Sequence, residues 1–244
     1  MDYSNLTQSR SAAPRLADAF PGAALFDLDG TLIDSLPDIT LAVGELMASA
    51  DLPAFGEDEV RDMVGYGLKV LVERAFAARD PQLDAAGLEA MSERMREIYA
   101  RHLTGRTRLM PGALEAIEAL ASAGCALALV TNKLQSAANI VLEHFELSER
   151  FQVIIGDQAR PFGLSPKPSP DMLEFALARL GVAAPDAMMF GDSSADIRSA
   201  AAAGVFSVAL RNGYSTVPLE TLGPGVVIET LLDLPAAIAA WQRA

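Results

Sequence analysis

Two aspartates stand two residues apart in the string Phe26-Asp27-Leu28-Asp29-Gly30-Thr31-Leu32. They follow an apolar run, and alternate residues of an extended strand share a face, so both carboxylates project to one side. The glycine and threonine after them favour a tight departure from a sheet. Two more carboxylates, Asp192 and Asp196, close the string Gly191-Asp192-Ser193-Ser194-Ala195-Asp196 behind another apolar run. Thr131-Asn132 ends a third run with a hydroxyl and a backbone amide, and Lys167 sits in Pro166-Lys167-Pro168 just before a helical pattern. Taken singly, each is an ordinary turn, cap or solvated surface group. Taken jointly, they supply every part of a phosphoryl-transfer centre.

The chemistry follows from the residue types. Hard oxygen ligands gathered at one point suit Mg2+, which contacts few protein groups and keeps several waters. Crowded carboxylates repel one another unless a cation balances them. Asp27 is then the nucleophile toward phosphorus, forming an acyl phosphate. Asp29, if kept protonated, would hand its proton to the leaving alkoxide and later take one from water. The Thr131 hydroxyl and the Asn132 amide would hold phosphoryl oxygens, and Lys167 would neutralise charge on the nucleophile and the transferring group. Asp192 would join Asp27 on the metal, with Asp196 ligating it or orienting its waters.

These groups need a scaffold that brings four chain segments together. The apolar runs beginning at Ala23, Ala126, Val153, Met188, Phe206 and Val226 are continuous rather than alternating, which indicates strands buried on both faces. Helical patterns lie between them over residues 112–123, 134–144, 170–180 and 194–203, with a closing helix over 231–241. This alternation predicts an α/β fold with a doubly wound parallel sheet, whose ligands bind at the carboxyl ends of the strands. Every polar turn named above is at such an end. Residues 38–107 break the pattern: they read as helices over 37–50, 57–64, 68–78 and 88–102, punctuated by Pro53 and Asp80-Pro81. Inserted directly after the first strand, they predict a helical module set over the strand ends.

Composition narrows the partners. The 244-residue chain is 51% hydrophobic, enough for a sizeable core, and carries a formal net charge of -13. Such a surface repels nucleic-acid phosphates and anionic lipid, which argues against both as partners. An anionic substrate would therefore need a local positive island at the site. The single cysteine, Cys125, rules out an intrachain disulfide and reads as a packed core thiol. The first residues lack the continuous apolar segment of a secretory signal, so residues 1–22 read as a flexible leader on a soluble, cytoplasmic protein, monomeric or homodimeric.

The four strings, in this order along the chain, resemble the motifs of the haloacid dehalogenase-like hydrolase superfamily. The resemblance spans Ala23 to the end. It implies a Rossmann-like catalytic core over 23–37 and 108–244 and an all-α cap over 38–107. It also implies metal ligation by Asp27, the backbone carbonyl of Asp29, and Asp192. Dehalogenating members lack an acid at the place of Asp29, so phosphate transfer is implied instead. Further strings resemble phosphoglycolate phosphatases: Phe26 through Ser35 with Pro37-Asp38, Val64-Gly65-Tyr66-Gly67 leading to Leu71-Val72-Glu73-Arg74-Ala75, Leu109-Met110-Pro111-Gly112, and Val130-Thr131-Asn132-Lys133. They imply 2-phosphoglycolate as the small phosphorylated metabolite. Gly65 and Gly67 would belong to a cap loop over the site, and Lys69 and Arg74 are candidates to grip a substrate carboxylate. One departure from the pattern is the irregular stretch 157–165 before Lys167.

Rival readings remain open at this stage. Other capped members include hexose-phosphate phosphatases, pyrophosphatases, phosphomutases and phosphonate hydrolases; the last need a cap lysine, and Lys69 is the only lysine within 38–107. A non-hydrolytic phospho-aspartate switch uses similar parts, but predicts a short uncapped domain without an acid beside the nucleophile. A scaffold with a degenerate site fits poorly, because no expected site residue is missing.

Overall fold

The computed structural model describes residues 20–79, 83–157 and 163–244. The leader expected over 1–22 falls almost wholly outside these residues, as do Asp80-Pro81 and the centre of the irregular stretch before Lys167.

Six strands form one parallel sheet: β1 (Ala23–Phe26), β4 (Ala126–Leu134), β5 (Val153–Asp157), β6 (Ala187–Gly191), β7 (Phe206–Leu210) and β8 (Val226–Ile228). Their spatial order is β5-β4-β1-β6-β7-β8. The chain builds outward from β1 through β4 to β5, then crosses back to lay β6, β7 and β8 on the other side. The switch point therefore falls at β1, where a doubly wound sheet opens its ligand crevice.

Alternate residues of each strand enter different layers. Ala24 and Phe26 of β1 join Leu127, Leu129, Met188 and Phe190 against helices α5 (Ala113–Ser122), α6 (Gln135–His144) and α9 (Leu234–Trp241). Ala23 and Leu25 join Ala128, Val130 and Met189 against α7 (Asp171–Leu180) and α8 (Ser194–Ala203). Burial on both faces is why the strands read as unbroken apolar runs. Cys125 lies in the first layer, and burial pushes its thiol up to about 11.

The helices between β1 and β4 are α1 (Leu36–Ser49), α2 (Glu57–Arg61), α3 (Leu68–Ala77) and α4 (Ala85–Tyr99). α1 buries Ile39, Ala42, Val43, Leu46 and Met47, the i, i+3, i+4, i+7, i+8 stripe of a core-facing helix. That stripe meets Leu71, Val72, Ala75 and Phe76 of α3 and Met95 and Ile98 of α4 in the same apolar cluster as the sheet face.

The chain enters and leaves this helical segment through a two-residue antiparallel ribbon, β2 (Ile33–Asp34) with β3 (Arg108–Leu109). Two residues are too few for periodicity to reveal, and the sequence reading has no strand there. Two buried side chains secure the ribbon. Tyr214 Oη accepts the N–H groups of Ser35 and Leu36 at 2.7 and 3.0 Å, satisfying donors at the start of α1 that Ser35, its own cap residue, does not serve. Asp38 accepts from the Arg106 and Thr107 amides and from Thr107 Oγ1, at 2.8–3.0 Å. Asp38→Ala would strand these donors beside the ribbon. We expect it to lower unfolding free energy by about 3 kcal/mol in denaturant titration, with Asp38→Asn recovering part.

Candidate active site

Asp27 is the first residue beyond β1, its N–H bonded to Phe190 O at 2.9 Å in the next strand. It thus stands at the switch point, between the carboxyl ends of β4 and β6. Asp192 follows β6 and Asp196 lies in the first turn of α8, and one carboxylate oxygen from each of the three acids lies within 4.8 Å of the others. Lys167 Nζ, almost fully buried, is 2.8 Å from Asp27 Oδ1, 2.6 Å from Asp196 Oδ1 and 2.7 Å from Val130 O. The structure therefore gathers Asp27, Asp192, Asp196 and Lys167 from two strand ends, the first turn of α8 and a distant loop.

Glycines make this convergence possible. Gly30 has φ of +82°, and a Cβ there would strike the Asp192 carboxylate. Thr31 donates to Asp192 Oδ1 at 3.3 Å and the Tyr214 amide donates to Oδ2 at 2.6 Å. Asp196 is more fully committed: Lys167 takes one oxygen, and the Ser193 amide and hydroxyl take the other in a helix-capping arrangement.

The donor set fits a divalent cation. Burial, reinforced by the charge of Asp196 and opposed by Lys167, raises Asp27 to about 6. Burial and the charges of Asp196 and Asp27 raise Asp192 as well. Burial works against the Lys167 ammonium too, but Asp196 and Asp27 outweigh it and hold it charged. Asp27 Oδ1 receives no well-directed hydrogen bond despite its ion-pair contact with Lys167. One lysine among three buried acids leaves negative charge that a cation would balance.

This sets the pH dependence of the metal-free protein. A carboxyl raised in the fold contributes stability that is complete below its ordinary value of 3.8 and is lost as pH rises through about 6. For Asp27 that interval corresponds to roughly 3 kcal/mol. Magnesium should therefore raise the melting temperature much more at pH 7.5 than at pH 4.5, measured against EDTA. Equal shifts at both values would refute this account of the cluster.

The remaining residues fall into two groups. Thr131 and Asn132 lie within β4, which continues past the expected end at Val130 to Leu134 with a register shift against β5. Asn132 Nδ2 donates to Gly65 O and Lys167 O, and its Oδ1 accepts from the Lys167 amide at 2.9 Å. It ties the loop between α2 and α3 to the lysine loop. Gly65 and Gly67 line the cavity in front of Asp27, together with Asp29, Thr131 and Asn132. Tyr66 Oη lies 2.5 Å from Ser194 Oγ across the cleft.

Lys69 and Arg74 are not brought into that cavity. Lys69 is half exposed and pairs with Glu89. Arg74 stacks over Tyr66, donates to the Asp62 and Met63 carbonyls and lines an adjoining hollow. Both occupy α3, and the hollow that Arg74 lines is shared with Asp29, Gly65 and Asp192.

The cation that does line the cavity is Lys133, which sequence reasoning quoted within a string but assigned no role. Its Nζ contacts Asp29 Oδ1 at 2.7 Å and Oδ2 at 3.1 Å, and lies 2.6 Å from Tyr99 Oη. Ser35 Oγ also donates to Asp29, at 2.5 Å. Asp29 is thus held as the partner of an ammonium. Burial opposes the charge on Lys133, but Asp29 and Tyr99 more than restore it, and its pKa lies above the ordinary lysine value. The site therefore has no net positive island: among the described residues its two buried lysines, Lys133 and Lys167, are each paired with carboxylates. The signal for Lys133 was its place two residues beyond Thr131 at a strand end.

Residues 24–210 match the sequence family described as haloacid dehalogenase-like hydrolase. The chain is 38% identical over 212 residues to a phosphoglycolate phosphatase of Caulobacter vibrioides, covering 87% of this chain and 88% of that protein. It is 38% identical over 218 residues to a phosphoglycolate phosphatase of Rhodospirillum rubrum, covering 88% and 89%. The crystal structure of a predicted phosphoglycolate phosphatase from Haemophilus somnus superposes with a TM-score of 0.82 at 29% identity, covering 89% of this chain and 97% of the other. The chain belongs to the haloacid dehalogenase-like hydrolases. Within that family it is an enzyme, a phosphatase. Among the described residues no helix is long and apolar enough to cross a membrane.

Proposed function

We propose that this phosphatase is a magnesium-dependent phosphomonoesterase that hydrolyses 2-phosphoglycolate through an aspartyl-phosphate on Asp27. One observation carries the reading: Asp27 sits at the switch point with the buried Lys167 ammonium 2.8 Å from its Oδ1 and two further acids beside it. A magnesium ion held by Asp27, Asp192 and the Asp29 backbone carbonyl would neutralise the carboxylates and the phosphoryl oxygens. Asp196, with both oxygens engaged by Lys167 and Ser193, orients rather than ligates in this scheme. Lys167 stabilises charge on Asp27 and on the transferring group. Thr131 and the Asn132 amide hold phosphoryl oxygens, and Asn132 also steadies the Lys167 loop. Asp29 carries the proton to the leaving oxygen, for which it must loosen its pairing with Lys133.

The helical segment 38–107 serves as the cap over this site, on the core formed by 23–37 and 108–244. Its loop at Gly65–Gly67 excludes water from the cavity. The substrate assignment draws on the curated relatives named phosphoglycolate phosphatase and on a cavity that holds a buried cation. A Schiff-base phosphonate hydrolase is disfavoured, since Lys69 is exposed and paired with Glu89. The single cysteine and the absence of a membrane-length helix among the described residues support a cytoplasmic setting.

Phosphate release from a panel of esters, with magnesium and with EDTA, tests the proposal. The expected result is metal-dependent turnover with 2-phosphoglycolate favoured at least about tenfold in kcat/KM over hexose phosphates. Hexose phosphates serving equally well would remove the substrate assignment and leave the phosphatase.

A further inference from the structure

The cavity in front of Asp27 is lined by two acids, Asp27 and Asp29, by apolar groups such as Ile39, Leu71 and Met95, and by Lys133 as its one basic residue among those described. Lys167, the other buried cation of the site, is spent on Asp27, Asp196 and Val130 O. A substrate whose phosphate meets Asp27 and whose far end is anionic would thus find one partner for that second charge. An anion in this apolar setting without a partner would carry a heavy desolvation cost. Lys69 pairs with Glu89 at the surface, and Arg74 lies in the adjoining hollow beside Asp29 and Asp192, held by the Tyr66 ring and the Asp62 and Met63 carbonyls.

We infer that Lys133 is the specificity-determining residue of this enzyme, its ammonium receiving the substrate carboxylate with the Tyr99 hydroxyl beside it. This rests on the reading of the substrate as a carboxylated phosphate ester. In the free enzyme the same ammonium is held by Asp29, so Asp29 and the substrate compete for it. A carboxylate that takes Lys133 leaves Asp29 with Ser35 as its remaining side-chain partner among the described residues, beside the leaving oxygen. An ester without the carboxylate leaves that pair intact. Recognition and release of Asp29 then follow from a single exchange of ion-pair partners.

The test compares 2-phosphoglycolate with ethyl phosphate, in which a methyl group replaces the carboxylate. Wild-type enzyme should favour 2-phosphoglycolate in kcat/KM. Lys133→Met should lower kcat/KM for 2-phosphoglycolate relative to that for ethyl phosphate roughly 10- to 100-fold, because it removes the carboxylate's partner and frees Asp29 on either ester, so the preference collapses. Equal losses on both esters would overturn the inference, because a merely structural lysine affects both. A wild-type enzyme with no preference would instead remove the substrate reading and this inference with it. A crystal of the wild-type holoenzyme with 3-phosphonopropionate provides a second measurement that does not depend on the variant folding. Its carboxylate should lie within hydrogen-bond distance of Lys133 Nζ, and a carboxylate held by Lys69 or Arg74 would overturn the inference.

Discussion

Asp27→Asn is expected to lower kcat by roughly 10^4-fold or more while leaving the fold intact. The amide matches the carboxylate in shape but is a far poorer nucleophile toward phosphorus, so the acyl phosphate of the proposed mechanism would not form at a useful rate. The fold should tolerate the change because it removes one of three buried acids whose charges oppose one another. Lys167 keeps Asp196 and Val130 O as partners. Thermal unfolding of the metal-free variant at pH 7.5 should therefore equal or exceed that of the wild type. Steady-state turnover of 2-phosphoglycolate and acid-quench trapping of phosphoprotein provide the two readouts. A variant retaining a few per cent of activity, or still trapping phosphate, would mean that another residue is the nucleophile.

The second large effect is expected at Lys167. Lys167→Met fills a similar volume but removes the positive charge among Asp27, Asp192 and Asp196, leaving buried carboxylates uncompensated. Breaking a buried pair in this way costs about 3–5 kcal/mol, and loss of charge stabilisation on the transferring phosphoryl group should lower kcat about 10^3-fold. The two effects separate with magnesium. A cation bound by the acids should restore much of the melting temperature, since the instability is one of unbalanced charge, but little of kcat, since the lysine is not replaced at the phosphoryl oxygens. Unfolding curves and kcat measured over a magnesium titration test this. Activity within tenfold of wild type would rule out a catalytic part for Lys167.

The groups that the fold gathers around Asp27 were largely legible in the residues. Continuous apolar runs identified strands buried on both faces, their polar ends pointed to Asp27, Thr131 and Asp192, and the turn Pro166-Lys167-Pro168 before a helical pattern pointed to Lys167. The helical character of 38–107 was equally plain, because amphipathic stripes such as that of α1 repeat over several turns. What the chain alone did not disclose depends on register and on partners distant in sequence. Lys133 enters the cavity because β4 runs on past Val130 and shifts register against β5, and a one-residue change of phase would turn it to the other face. Tyr99 and Tyr214 reach the site from 34 and 179 residues away from Lys133 and Ser35, their hydrogen-bond partners, and no local pattern foretells that. Lys69 and Arg74 were plausible by charge and proximity in sequence, yet the packing of α3 turns them toward Glu89 and Tyr66. Residue types set which reactions were available; the folding of distant segments onto one another determined which lysine faces the substrate cavity.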